Sequence, residues 1–248
     1  MVNSQRYVFI GKTLFFPKEK VLVIGDLHLG YEEALRAGGL EVPIGQFEEM
    51  TSELEKTIDY IKAIYGKIEQ IIFLGDIKHH FGYVASEKKE IGLLISFLRK
   101  KGIEENEVIF IRGNHERNDK NGKFLDYYII KDIIFIHGDK EFIEIYDKTI
   151  NLVVMAHLHP TVTLSDEMEI KREKYKCFLV GCFKKKDFII VPSFLKITEG
   201  VSLSEFSDEI AKGYDLSIVP NFELQNFEVY VVSEGNLEAL NFGKLKNL

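Results

Sequence analysis

Among the side chains of this 248-residue chain that can hold a divalent metal or move a proton, eight stand out by their placement: Asp26, His28, Asp76, Asn114, His115, His137, His157 and His159. Each comes just after a short apolar run. Val21-Leu22-Val23-Ile24 leads into Gly25-Asp26-Leu27-His28, and Ile71-Ile72-Phe73-Leu74 into Gly75-Asp76. Val108-Ile109-Phe110-Ile111 leads into Arg112-Gly113-Asn114-His115. Ile133-Ile134-Phe135-Ile136 leads into His137-Gly138, and Leu152-Val153-Val154-Met155 into Ala156-His157-Leu158-His159. Imidazole mixed with carboxylate suits Mn, Fe, Zn or Ni better than Ca or Mg. The set is too large for one ion and suits two ions sharing a bridging carboxylate. All seven histidines (His79 and His80 complete the count) lie in or just after these motifs, which scattered core or surface histidines would not do.

The elements that must position these groups are legible in the same stretches. Short, β-branched apolar runs read as strands buried on both faces. Between them Phe47, Met50, Leu54, Ile58, Ile61 and Ile64 recur at helical spacing, and a second helix, capped by Ser86, buries Ile91, Leu94, Ile95 and Leu98. Strand–helix–strand alternation predicts an α/β layered fold, at least partly parallel, with chemistry at the carboxyl ends of the strands. After His159 the texture changes. Cys177–Phe183 and Phe188–Val191, turning at Lys184–Asp187, and Phe227–Val232 and Leu237–Phe242, turning at Glu234–Asn236, read as hairpins of a second, antiparallel sheet. Thr198–Pro220 reads as irregular, with room for a short helix. The expected organisation is one domain over 1–248, with a ligand-bearing core over 1–160 and second-sheet hairpins over 161–248.

Composition bounds the function. A net charge of −7 gives no global pull toward nucleic acid, although bound divalent ions would add local positive charge that this count omits. Cys177 and Cys182, five positions apart, fall on opposite faces of one strand and are neither a metal pair nor a disulfide framework. No stretch reads as a signal peptide or a membrane span, so the expectation is a cytoplasmic protein without a membrane partner. A homo-oligomer remains open.

The ordered series Asp-x-His, Gly-Asp, Gly-Asn-His-Glu, His and His-x-His, running from Val21 to Pro160, resembles the calcineurin-like metallophosphoesterases. That resemblance implies a four-layer α-β-β-α sandwich of two mixed sheets flanked by helices. It implies two divalent ions, manganese first, with Fe, Zn or Ni as alternatives. It assigns Asp26, His28 and His159 to one ion, Asn114, His137 and His157 to the other, and Asp76 to both. His115 matches the catalytic histidine, which is not a ligand. The implied reaction is hydrolysis of a phosphate ester by a hydroxide held between the ions, with His115 assisting the leaving group. Two positions depart from the pattern. Ala156 stands where the family often has glycine. His79 stands where many members have the aspartate that orients the catalytic histidine, and this resembles the Gly-Asp-x-x-His of the SbcD/Mre11-type nucleases. Asp-Leu-His-Leu-Gly-Tyr-Glu is also similar to small SbcD-related archaeal proteins and to bacterial DNA-ligase-associated phosphoesterases. His79 is accordingly expected near the substrate, and phosphodiesters, nucleic acid or nucleotides among them, are the first expectation. A phosphomonoesterase or small-nucleotide hydrolase is the enzymatic alternative, and a non-catalytic partner-binding scaffold of the same fold is the alternative of another class.

Several residues carry weaker signals. Lys78, Arg112 and Arg117 flank the motifs and could grip phosphate; Lys123 reads as a surface charge. Glu116 reads as orienting a neighbour rather than binding metal. Lys171, Arg172, Lys174, Lys176 and Lys184–Lys186 are the main basic concentration, read as a solvated hairpin face in preference to a nucleic-acid track. Phe81, Tyr83, Tyr127 and Tyr128 could stack bases but read first as core or rim.

Overall fold

The computed structural model describes residues 6–40, 45–80, 85–116, 124–165, 171–196, 200–203, 217–233 and 235–248. Two mixed sheets face each other. The first has the order β1 (Val8–Ile10), β2 (Thr13–Phe16), β3 (Val21–Ile24), β4 (Gln70–Phe73), β5 (Val108–Ile111) and β6 (Phe124–Leu125). Its first three strands pair antiparallel and β3 to β6 pair parallel. The second sheet contains β7 (Tyr128–Ile130), β8 (Ile133–Phe135), β9 (Leu152–Met155), β10 (Pro160–Ser165), β11 (Arg172–Phe183), β12 (Lys186–Ile190) and β13 (Val201–Ser202) in the order β13-β10-β11-β12-β9-β8-β7. The hairpin β14 (Glu228–Val232) and β15 (Ala239–Lys244) continues it from β11.

Side-chain alternation divides the core. Val21 and Val23 on β3, with Leu152 and Val154 on β9, pack between the sheets with Phe16, Ile72, Phe135, Phe178 and Ile189. Their neighbours Leu22 and Ile24 turn outward against α2 (Gln46–Tyr65) and α3 (Ala85–Lys100), which supply Met50, Leu54, Ile58, Ile61, Leu94 and Leu98. Val153 and Met155 turn the other way, into a cluster with Leu179, Ile190 and Phe227. Among the described residues that far side is covered by two short helical segments, Ile143–Tyr146 and α4 (Asn221–Leu224). The shorter α1 (Tyr31–Ala37) follows β3.

The structure amends several expectations. The second sheet is mixed, as the resemblance implies, rather than antiparallel as the hairpin texture after His159 suggests, because β8 pairs parallel with β9 and β9 with β12. Ile64, expected on the buried stripe of α2, is 53% exposed, because Tyr65, four residues after Ile61, takes that place and packs on Phe15 of β2 at 5.3 Å between ring centroids. Helix α3 is already running at Ala85, so Ser86 lies inside it rather than capping it. The β11–β12 turn is the two residues Lys184 and Lys185, both with positive φ (48° and 66°), the backbone of a tight hairpin turn. Of Thr198–Pro220, 198–199 and 204–216 lie outside the described residues, and Val201–Ser202 forms β13. Cys177 is buried and Cys182 exposed, both as free thiols on opposite faces of β11. No helix among the described residues is long and apolar enough to cross a membrane.

Candidate metal centre

Strands β3, β4 and β5 run parallel in the first sheet and β8 and β9 run parallel in the second. The loops at their carboxyl ends meet at the junction of the two sheets. The β3 and β4 loops are zipped together, with the His28 N–H donating to the Asp76 carbonyl at 2.8 Å and Leu29 bridging to Lys78. The loops turn sharply at the functional residues. His28, Asp76, His157 and His159 all have φ between 45° and 70°, half of the eight non-glycine residues with positive φ among the described residues. Such backbone costs roughly 1–2 kcal/mol per residue and persists only where its surroundings over-determine it. The glycines before two of the candidate ligands, Gly75 and Gly113, are required sterically. A Cβ on Gly75 would lie 2.5 Å from His137 Nδ1, and one on Gly113 would lie 2.2 Å from Asp76 Oδ1.

These turns bring two donor sets together. Asp26, His28 and His159 form one, with His28 Nε2 3.2 Å from His159 Nε2 and Asp26 Oδ1 3.4 Å from His159 Nε2. Asp76, His137 and His157 form the other, with His137 Nε2 3.0 Å from both His157 Nδ1 and Asn114 Oδ1. Asp76 Oδ2 lies between the sets, 3.9 Å from His28 Nε2 and 3.5 Å from His137 Nε2. Its other oxygen, Oδ1, accepts the His115 backbone N–H at 3.0 Å. His137 donates Nδ1–H to the Leu74 carbonyl at 2.7 Å, which turns its Nε2 toward the cluster. Asp26 Oδ1 and His28 Nδ1 are buried with no hydrogen-bond partner among the described residues.

Electrostatics place the two carboxylates, His28 and His157 in ligating form. Burial pushes His28 down to about 3, against the pull of Asp26. Burial and the charge of His137 lower His157 as well. Burial alone would raise Asp26, but His159, His137 and His28 hold it well below the usual carboxylate range. Asp76 is likewise raised by burial and lowered further by His137. Burial opposes a charge on His137, yet Asp76 and Asp26 push it up to about 9. Neutral imidazoles at His28 and His157, ionised carboxylates and orphaned buried donor atoms fit divalent cations, and the field that raises His137 favours positive charge among them.

The remaining candidates take distinct places. His115 Nδ1 donates to the backbone carbonyl of His79, so its Nε2 is the nitrogen presented to the cluster, 3.8 Å from Asp76 Oδ2. A carbonyl of His79 thus does the orienting that the resemblance would give to an aspartate side chain. The His79 ring lies 5.5 Å from that of His115, 5.6 Å from that of His28 and 4.6 Å from that of Tyr31. Burial and the neighbouring His115 and His80 lower its pKa. His28, His79 and His115 form a third group with metal-ligand spacing, which sequence reasoning did not single out. The Arg112 guanidinium is engaged with Asp126 (3.1 Å) and with the Glu116 and Phe124 carbonyls (3.2 and 3.1 Å), bonds that brace the β5 loop. Arg117, Lys123, Phe81 and Tyr83 lie outside the described residues. Tyr127 donates to Glu144 and Tyr128 accepts from Gln70, in the frame rather than the centre.

Two buried carboxylates hold this arrangement. Glu116, 0% exposed, accepts backbone N–H groups from Asp76 (3.1 Å), Gly113 (2.9 Å) and Lys78 (3.0 Å), joining the β4 and β5 loops. Burial, with the charge of Asp76 adding, pushes it up to about 7 against the pull of those N–H groups. Glu87 on α3, also 0% exposed, accepts from the backbone of His79 (3.1 Å) and of His80 (2.8 Å) and from His80 Nδ1 (2.8 Å). Sequence reasoning missed Glu87, because it sits in an ordinary run of charged helical residues; the nearest signal was Gly30, whose Cβ would collide with it at 2.7 Å.

The basic concentration of the sequence does not form one surface. Lys171 pairs with Glu173 and Lys184 with Glu141, while Lys186 donates to the carbonyls of Asp147 and Ile150. Lys176 turns inward to the carbonyls of Ser193 and Leu195.

A sequence model described as Calcineurin-like phosphoesterase matches residues 19–232. The chain belongs to that family. No curated protein matches it. Among solved structures, the Pseudomonas putida nuclease MPE is similar in fold over 93% of this chain and 92% of that one, at 18% identity and a TM-score of 0.59. The E. coli phosphoesterase Yfce is 14% identical over 70% of this chain and 79% of that one, at a TM-score of 0.38. Entamoeba histolytica Vps29 complexed with Zn is 16% identical over 90% and 98%, at a TM-score of 0.40.

Proposed function

We propose that the protein is a two-metal phosphoesterase that hydrolyses phosphodiesters, with nucleic acid among its substrates. The position of Asp76 Oδ2, within 4 Å of His28 Nε2 in one donor set and of His137 Nε2 in the other (3.9 and 3.5 Å), carries this reading. Asp26, His28 and His159 would hold one ion, Asn114, His137 and His157 the second, and Asp76 both. Ions bound there supply Lewis-acid polarisation of phosphoryl oxygens and activation of water at neutral pH. His115, oriented through Nδ1, offers Nε2 to the leaving oxygen as a proton donor. His79, whose ring lies 5.5 Å from that of His115, and Lys78, next to it on the loop after β4, would meet the substrate. The preference for diesters rests on the Gly-Asp-x-x-His pattern that ends at His79. Manganese is the first candidate metal.

The test is a metal-content measurement combined with a screen of bis-p-nitrophenyl phosphate, p-nitrophenyl phosphate, cyclic nucleotides and single- and double-stranded DNA in Mn. Turnover of diesters above monoesters is expected. Monoester preference would shift the reading to a phosphomonoesterase. Two bound ions with no hydrolysis of any substrate would sink it in favour of a partner-binding scaffold.

A further inference from the structure

A cavity of about 1250 Å³ opens where the β1–β2 turn, α2, β10, β11 and the β14–β15 turn meet. Three stretches of chain lead from its wall toward the metal centre. Thr161, on its wall, lies two residues after His159. Lys196 and Glu48, also on its wall, directly follow Leu195 and Phe47, which line a small pocket with His28. Small-molecule sites usually fall within about 300–1,000 Å³, so a groove of this size suits a chain-like ligand.

Its chemistry suits an anionic strand. The chain as a whole has a net charge of −7, yet this wall carries five lysines and three carboxylates, with Lys12 and Lys176 turned into backbone carbonyls of the floor and Lys56, Lys174 and Lys196 exposed. Two of those carboxylates face lysines of the same wall, Glu53 with Lys12 at 2.8 Å and Glu49 with Lys196 at 4.0 Å. Lys56 and Lys174 stand exposed at the rim. Thr161 is 1% exposed and its Oγ1 has no hydrogen-bond partner among the described residues, an unspent polar group on the groove wall. The floor is tied to the metal centre. Lys12 donates to the Phe194 carbonyl and Lys176 to those of Ser193 and Leu195, while the Phe194 N–H donates to the Asp26 carbonyl at 2.9 Å.

We propose that this groove holds the flanking phosphates of a nucleic-acid strand whose scissile phosphate lies at the metal centre. The proposal rests on the phosphodiesterase reading above and names its substrate class.

The test compares wild type with a Lys56→Ala/Lys174→Ala double variant and with Thr161→Val. Binding of a labelled single strand of about 12 nucleotides is followed by fluorescence anisotropy across a salt series, with the protein as purified and again in EDTA. Turnover of the same strand and of bis-p-nitrophenyl phosphate is measured in Mn. For the double variant the strand Kd should rise about tenfold, and the slope of log Kd against log salt should fall by about 1.4, roughly 0.7 per lost phosphate contact. KM for the strand should rise far more than KM for bis-p-nitrophenyl phosphate, which is too short to reach the groove. Thr161→Val should weaken strand binding without lowering the melting temperature. Unchanged strand affinity and salt slope would overturn the groove, whatever the protein hydrolyses. Equal losses on both substrates would overturn it too, marking the lysines as supports of the fold. Groove-dependent strand binding with no hydrolysis of either substrate by wild type would support the groove and sink the phosphodiesterase reading instead.

Discussion

Replacing Glu116 by Gln keeps the size of the side chain and changes one acceptor into a donor. Oε2 accepts the N–H groups of Asp76 and Gly113 at 3.1 and 2.9 Å, and Oε1 accepts that of Lys78 at 3.0 Å. The amide oxygen can serve the first two. The amide nitrogen must then face the Lys78 N–H, so one bond is lost and two donors abut inside the protein. A buried donor left unsatisfied costs about 1–3 kcal/mol. For a domain of this size each kcal/mol lowers Tm by roughly 2–4 °C, so the expected loss is about 2–12 °C. The loop released runs from Asp76 to His79, so Mn affinity should fall about 10–100-fold, as it does when outer partners of metal ligands are lost. Melting by scanning fluorimetry with and without Mn, together with a Mn titration, measures both quantities. Glu116→Ala, which orphans all three donors, should lose more on each. A Glu116→Gln protein that melts within about 1 °C of wild type and binds Mn equally would refute the claim that this carboxylate holds the two loops, since even the low end of the penalty exceeds that change.

Three further outcomes follow from the geometry. His115→Ala should keep both metals, measured by elemental analysis, while kcat falls about 10²–10⁴-fold; near-wild-type turnover would remove His115 from proton transfer. Gly113→Ala would place a Cβ 2.2 Å from Asp76 Oδ1, so it should cost about 1–3 kcal/mol of stability and abolish the rise in Tm on adding Mn; an undiminished rise would show that Asp76 is not needed where it stands. Burial, with Lys12 adding, pushes the Lys176 amine down to about 7 from 10.5. Between those values the unfolded chain binds more protons than the folded one, so the residue's contribution makes stability rise with pH across that window. Lys176→Met should flatten that rise, and identical pH profiles of Tm for the two proteins would contradict it.

The parts of this site that the sequence determined are local. Each candidate ligand lies within a few residues of the strand that presents it, and a buried strand, a sharp turn and the donor after it leave a pattern readable without neighbours. The types of the candidate ligands, their order along the chain and the layered α/β class were therefore legible. So was the opposite-facing pair Cys177 and Cys182, because strand alternation has a period of two. What the tertiary structure decided depends on partners far apart in the chain. His28 meets His159 across 131 positions. The strands before His137 and His157 join the second sheet, which places the centre between two sheets rather than along one. Arg112 is spent on Asp126, Lys176 turns inward, and Glu87 reaches across from a helix to hold His79 and His80. A residue's type states what it can bind, but which partner it finds is set by burial and by packing of remote segments, where an unpaired polar group costs more than the small local preferences of the chain.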